Sequence, residues 1–417
     1  MTNSISIRAV LFAFALSLQS ASAANLTDII SISAGQGQSM ALKTDGTVWV
    51  WGVVYDQIVE DGAFETVIPL QVLVDHKKRV PLRGVIYIGH GTRFEIMSKK
   101  DGPVLVSTRE LGYHERAALP LVLETAEGVA LENIVKVAAG SGHDLFLRND
   151  GTVWAWGSNY AGQLGDGTEI DRASPSQVVT NSNTNLPLAG IVDIAAGNGY
   201  SLALKRDGTV WIWGGITSQL DGFYMNSTTA VQALNDSNSA GPITDVVDIA
   251  DGPSDGIGFL GLKNNGTVWH YPFLAINDEI PYWVSDCPNT SGEPRQRDTM
   301  VPTQVMVDSE SKMPLENVIS IDGNWIKAVA LKNDGTVWQW GRSEGILSHE
   351  ELYPVQVLMD ENRSVPFTGA TFVSAGDNHT LALKSDGSVW AWGLNENGQL
   401  GTNNDYPSRV PVQVLRP

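Results

Sequence analysis

A single cysteine, Cys287, stands in 417 residues. One thiol closes no intramolecular disulfide and cannot build a cysteine-rich zinc site. Basic residues are scarce too: 27 Lys and Arg face 46 Asp and Glu, a net charge of −19. A nucleic-acid surface needs a basic patch to neutralise phosphate, so this balance argues against a nucleic-acid partner. Long apolar runs are also lacking. The most apolar stretch, Ala9 to Leu18, counts ten residues, and a bilayer span takes about 20. No membrane span is expected.

Residues 1–23 read as a secretory signal peptide. Arg8 is their only charge, the apolar stretch follows it, and Ala21-Ser22-Ala23 offers a small-residue cleavage site. The mature chain, 24–417, is then expected in the periplasm or outside the cell.

Glycine (42) and tryptophan (13) are plentiful, and they recur in register. The clearest unit runs Ile191-Val192-Asp193-Ile194-Ala195-Ala196-Gly197, Ser201-Leu202-Ala203-Leu204-Lys205, then Asp207-Gly208-Thr209-Val210-Trp211-Ile212-Trp213-Gly214. Turn glycines at Gly46, Gly102, Gly151, Gly208, Gly266, Gly335 and Gly387 mark seven copies, spaced 56, 49, 57, 58, 69 and 52 residues apart. Seven copies with unequal insertions form one architecture, not several domains.

Leu202-Ala203-Leu204 and Val210 to Trp213 have the period of two and the β-branched and aromatic content of strands. The Asp-Gly between them predicts a type I′ hairpin. Ile191 to Ala195 supplies a third strand, and Pro-x-Gln-Val a fourth, as at Pro175 to Val178 and Pro411 to Val414. Four strands repeated seven times predict an all-β fold, a seven-bladed β-propeller of four-stranded antiparallel blades. The mature chain begins on an Ile-rich strand and ends on a Pro-x-Gln-Val strand. The last strand is therefore expected to complete blade one and close the ring. Eleven of the 13 tryptophans fall in the hairpin's second strand. Recurrence at one structural position assigns them to packing between blades rather than to a sugar-stacking platform. The second copy has Val104-Leu105-Val106 there, and its blade is expected to be the weakest.

At these residues the sequence resembles the regulator of chromosome condensation repeat family. The family pattern stands at Ala139-Gly140-Ser141-Gly142-His143, Asp150 to Gly157 and Asn159-Tyr160-Ala161-Gly162-Gln163-Leu164-Gly165. It returns at Ala375 to His379, Trp392-Gly393 and Asn395 to Gly401, and the repeats cover about 28–417. The resemblance implies a propeller. For the eponymous members it implies nucleotide exchange on a small GTPase and chromatin binding, which do not suit an exported acidic chain. For exported bacterial members it implies binding of a protein on one face of the disc, although the copies here are longer than their uniform units.

Motifs that carry chemistry are sparse. Seven histidines lie scattered without metal-ligand spacing, and no nucleophile elbow, Walker loop or dinucleotide fingerprint occurs. No catalytic residue, cofactor or metal is assigned, and Gly165 to Thr168 lacks the acidic series of a calcium loop. His143 and His379 share a repeat position filled elsewhere by Gln38, Phe94, Tyr200, Gly258 and Lys327. Such variety is expected of a turn facing solvent or the central shaft. The longest irregular segment, Pro272 to Met300, holds Tyr282, Trp283, Arg295 and Arg297, the residue types of binding hot spots. With Trp325, in a turn of the sixth copy, they are the candidate partner-binding residues. The reading is a monomeric, non-enzymatic exported propeller that binds an unidentified protein through its loop faces. The alternative is a carbohydrate-active enzyme with carboxylates near the central depression. Guanine-nucleotide exchange by family analogy ranks below both.

Overall fold

The structure, a computed structural model, describes residues 25–415 apart from 56–62, 76–79, 92–93, 100–101, 109–120, 218–223, 235–241, 254–257, 273–301, 309–312, 342–350, 361 and 363. The expected signal peptide and Tyr282, Trp283, Cys287, Arg295 and Arg297 lie outside the described residues. Blade one is formed by Ile29–Ala34, Gln38–Lys43, Val48–Tyr55 and Ala63–Gln71, paired in that order. Six further blades start from the inner strands Val85–His90, Ile134–Ala139, Ile191–Ala196, Val246–Asp251, Val318–Gly323 and Ala370–Ala375. This is the seven-bladed, all-β propeller that the repeats predict.

Burial follows from the stacking of blades. The second strand lies between two neighbours and in most blades is buried along all but its last residue, as in His143–Arg148 and His379–Lys384. Apolar packing is divided among seven clusters, one at each junction of neighbouring blades. Where blade seven meets blade one, Ile32 and Trp51 pack with Leu381, Val389 and Leu400. Trp51, Trp213, Trp340 and Trp392 are buried in such clusters, and Trp49, Trp211, Trp269, Trp338 and Trp390 pack half-buried against them. The tryptophans are inter-blade packing. In blade two, Val104, Leu105 and Val106 are buried in their stead.

Each inner strand opens in the same way. A residue at positive φ precedes it (Asp28, Gly84, Asn133, Gly190, Asp245, Asn317 or Gly369), and the pairing register slips at the strand's second residue. The slip buries the first and fourth residues of the strand and leaves the third half-exposed in most blades, on the side of the axis.

The hairpin turns differ from the type I′ expectation. Lys43 N donates to Thr47 O and Gly46 N to Lys43 O, both at 2.9 Å, so the loop holds three residues. It is a type I turn followed by Gly46 at φ 75°. Asp45 keeps an ordinary φ. Its Oδ1 accepts from Thr47 N at 3.1 Å and from Thr47 Oγ1 at 2.6 Å. The acid serves as a side-chain acceptor, and only the glycine needs the left-handed region.

Ring closure also departs from expectation. Ser408–Gln413 is the outer strand of blade seven, and blade one is completed by its own Ala63–Gln71. The chain is cut between blades, so each blade is continuous in sequence. Closure comes from a connector. At every internal junction the residue after the outer strand meets one just ahead of the next inner strand: Leu82 N donates to Val72 O and Leu188 N to Val178 O, each at 2.9 Å. At the seventh junction Leu26 N donates to Val414 O at 3.2 Å. Asn25 bridges Leu415, and its Nδ2 donates to Gln413 Oε1 at 2.7 Å.

Candidate functional site

Strand direction defines two faces. The upper face carries the turns from inner to second strand and the loops from third to outer strand. The lower face carries the Asp-Gly hairpins, the connectors and both ends of the described chain.

Between the faces runs a shaft of about 1150 Å³, lined by all seven inner strands. Neighbouring inner strands do not pair as a sheet, so their edge N–H groups need other acceptors. Side chains provide them. Tyr87 Oη accepts from Val137 N at 2.8 Å, Asp248 from Ile321 N at 2.9 Å, Asp322 from Ala375 N at 2.8 Å, and Ser374 Oγ from Ala34 N at 3.1 Å. Ser33 Oγ meets His90 Nδ1 at 2.9 Å, and Lys136 Nζ pairs with Asp193. Asp193 hydrogen-bonds Asp248 across the junction of blades four and five. Every junction thus has a polar tie inside the shaft.

These ties fix the charge states. Burial and the Asp193 carboxylate push Asp248 up, against the pull of Lys136. Asp248 therefore holds the proton that a carboxyl–carboxylate hydrogen bond requires. Burial opposes charge on Lys136, but the attraction of Asp193 outweighs it and raises the amine, which stays protonated. Glycoside hydrolysis needs two carboxyl groups roughly 5–9.5 Å apart, with the sugar between them. Asp193 and Asp248 bond to each other directly, so this pair is a structural tie and not an acid and nucleophile.

The repeat position of His143 and His379 corrects the sequence reading. Both histidines are fully buried rather than facing solvent or shaft. His143 Nε2 meets Ser201 Oγ of the next blade at 2.8 Å. Ser201 Oγ and Trp213 Nε1 both donate to Gln163 O, each at 2.8 Å. The same lock joins blade seven to blade one: His379 Nε2 to Ser39 Oγ at 2.7 Å, with Ser39 Oγ and Trp51 Nε1 donating to Gln399 O at 2.9 and 2.8 Å. Burial pushes His143 down to about 4 and His379 well below its usual value. Other residues at this position lock differently. Tyr200 donates to Asp251, which burial pushes up to about 7. Lys327 Nζ donates to His379 O at 2.5 Å and to Thr380 Oγ1 at 2.9 Å. Burial pushes Lys327 down to about 7, against Asp377 and Asp322.

Of the candidate partner-binding residues, Trp325 alone is among the described ones. It lies on the upper face, 41% exposed. The chain leaves the described structure after Pro272 and returns at Pro302, on that same face and in the adjoining blade five. Two exposed aromatics that the sequence reading did not single out, Tyr160 and Tyr406, stand in upper-face loops of blades three and seven. Their only signal was a place in the irregular stretches after Trp-Gly. Asp166, in the Gly-Asp-Gly-Thr segment, accepts from Arg172 Nε at 2.7 Å and from Thr168 Oγ1 at 2.7 Å. Its carboxylate is committed to holding the loop.

Residues 150–204 and 386–417 match the regulator of chromosome condensation (RCC1) repeat, and a second description of that repeat matches 134–163 and 370–399. These stretches hold His143, Gln163 and Ser201 of the first histidine lock and His379 and Gln399 of the second. The chain is 25% identical over 398 residues to the ultraviolet-B receptor UVR8 of Arabidopsis thaliana, covering 92% of this chain and 81% of that protein. It is 28% identical over 302 residues to the E3 ubiquitin-protein ligase HERC2 of Mus musculus, which covers 70% of this chain and only 6% of that much longer protein. The solved structure of human WBSCR16 superposes with a TM-score of 0.60 at 20% identity, covering 88% of this chain and 93% of that one, a likeness of fold. Residues 134–204 and 370–417 thus carry regulator of chromosome condensation repeats, and the chain is similar over most of its length, at 25% identity, to the ultraviolet-B receptor.

Proposed function

We propose that this chain is an exported, non-enzymatic propeller that binds a protein partner through its upper face. The observation that carries the reading is the distribution of exposed aromatics. Trp325, Tyr160 and Tyr406 all stand on that face, on loops braced by a rigid ring. Exposed Trp and Tyr are the side chains that anchor protein interfaces, because they bury much area at small entropic cost. A relative named as a receptor supports binding or regulation as the general role. The acidic surface suits a partner with a cationic patch.

The test is comparative capture from the native envelope or medium. Wild-type protein should retain a partner that Trp325→Ala, Tyr160→Ala and Tyr406→Ala together bind at least about tenfold more weakly, a loss of about 1.4 kcal/mol. Undiminished retention by the triple variant would reject the upper face. Export has its own measurement: the protein recovered outside the cytoplasm should begin at residue 24, and recovery only as an uncleaved cytoplasmic chain would reject it.

A further inference from the structure

The lower face, which the proposed role leaves unused, carries most of the exposed aliphatic side chains. In six blades the residue at the register slip is Val or Ile: Ile30, Ile86, Val135, Val192, Val247 and Ile319, each 42–56% exposed. Each is the second residue of its inner strand, at the strand's lower end. Blade seven has Thr371 there, so a polar β-branched residue fits this backbone. Strand propensity explains the branching but not the aliphatic choice. A second ring lies in the connectors at Val80, Val129, Leu186, Leu234, Met313 and Val365, which are 41–60% exposed.

The two rings together place twelve half-exposed aliphatic side chains on one face, whereas an ordinary surface scatters such side chains singly. Charge identifies the occupant. The hairpins beside the rings pair a cation with an acid two residues on, as in Lys43 and Asp45, Arg148 and Asp150, Lys332 and Asp334. Both signs therefore alternate on this face of a chain whose net charge is −19. A two-fold interface requires such self-complementarity, because each residue meets the same surface on its partner. An apolar centre with a mixed polar rim is also how stable interfaces are built.

We propose that the lower face is a self-association surface. Two copies pair lower face to lower face about a two-fold axis, burying the aliphatic rings and alternating the hairpin charges across the rim. This replaces the monomer expected from the sequence. It leaves both upper faces outward and free to bind.

The test is sedimentation equilibrium of the full chain at roughly micromolar concentrations. Wild type should sediment at twice the monomer mass. Val192→Asp with Ile319→Asp should dissociate the dimer at least 30-fold more readily while leaving the melting transition in place, since both side chains are already half in water. Trp325→Ala should leave the dimer intact. A wild-type monomer overturns the proposal, and so does a dimer that survives the double substitution. A monomer that floats with phosphatidylcholine vesicles, and loses this in the double variant, also overturns it by assigning the rings to lipid. Should the aspartates prevent folding, Val192→Thr with Ile319→Thr, which copies the threonine that blade seven carries at this position, must weaken the dimer or the proposal falls.

Discussion

The junction between blades three and four and the one between blades seven and one are chemically alike and differently connected. Both join a buried histidine to a serine, and that serine to the carbonyl of a glutamine that also accepts from a buried tryptophan. In the first, the connector from Val178 to Leu188 ties the blades covalently. In the second, the same backbone bond is made by two chain ends, Leu26 and Val414. The pair separates what contacts contribute from what connectivity contributes. With equal contacts, the difference in opening is the entropy of closing a ring rather than a hairpin.

The largest effects should come from the contacts. Trp213→Ala and Trp51→Ala each remove a fully buried aromatic and leave a glutamine carbonyl short of a donor, at about 3–5 kcal/mol apiece. Urea unfolding should give similar losses for both. A much milder effect of Trp51→Ala would mean that the end junction is already loose in the wild type.

Next comes pH. His143 is held down to about 4 by burial, while in the unfolded chain it protonates near 6.5. Its share of stability is present above pH 6.5 and is lost as pH falls toward 4, on the order of 3 kcal/mol. His143→Gln and His379→Gln should each flatten that acid limb. Lys327 has the opposite setting: burial holds it near 7 against 10.5 in solution, so its cost is full below pH 7 and relieved as pH rises to 10.5. Lys327→Met should remove that alkaline gain. An unchanged pH–stability profile in these variants would refute buried titration at the locks.

Connectivity should weigh up to about 3 kcal/mol by the loop-length term. A permutant with residues 25 and 415 joined by a short linker and the chain opened at 183 moves the free ends to the other junction. Hydrogen exchange should then slow around Ser39 and quicken around Ser201. No exchange of protection would mean that contacts alone govern opening. The smallest effect is expected at the half-buried tryptophans. Lys205 Nζ lies 4.4 Å from the Trp211 ring centre and Lys384 Nζ 4.8 Å from that of Trp390. Replacing either lysine with Ala should cost about 0.5–1 kcal/mol in thermal unfolding.

The fold was legible because burial on both faces leaves Leu-Ala-Leu and Trp-x-Trp in place even where loops vary by tens of residues. Blade number, strand number and the packing role of the tryptophans all rest on that pattern. The seam was not legible. An Ile-rich start and a Pro-x-Gln-Val end fit a cut inside a blade and a cut between blades equally well, and only the pairing of Ala63–Gln71 decides. Asp-Gly likewise serves two turn types, distinguished by the Lys43–Thr47 pair. The shaft belt stayed hidden because the register slip breaks the period of two, so Lys136, Asp193 and Asp248 gave no sign of sharing a side. Trp325 stood out in the sequence because a tryptophan outside the repeat pattern has no packing position to fill, and it is exposed. The segment with Tyr282 and Trp283 lies outside the described residues.

Packing divided into seven clusters has a consequence for how damage spreads. A molecule with one central core shares every injury. Here each blade is a link with two nearest neighbours, and stability sums over links much as in a one-dimensional array. An open array of seven units has six links, whereas the closed one has seven. Breaking any one link turns the circle into an open array that still retains six. A lesion at one junction is thus survivable alone, and a second turns a gap into two arcs that can part. Sequence decay should be tolerated in scattered blades and punished when it strikes two.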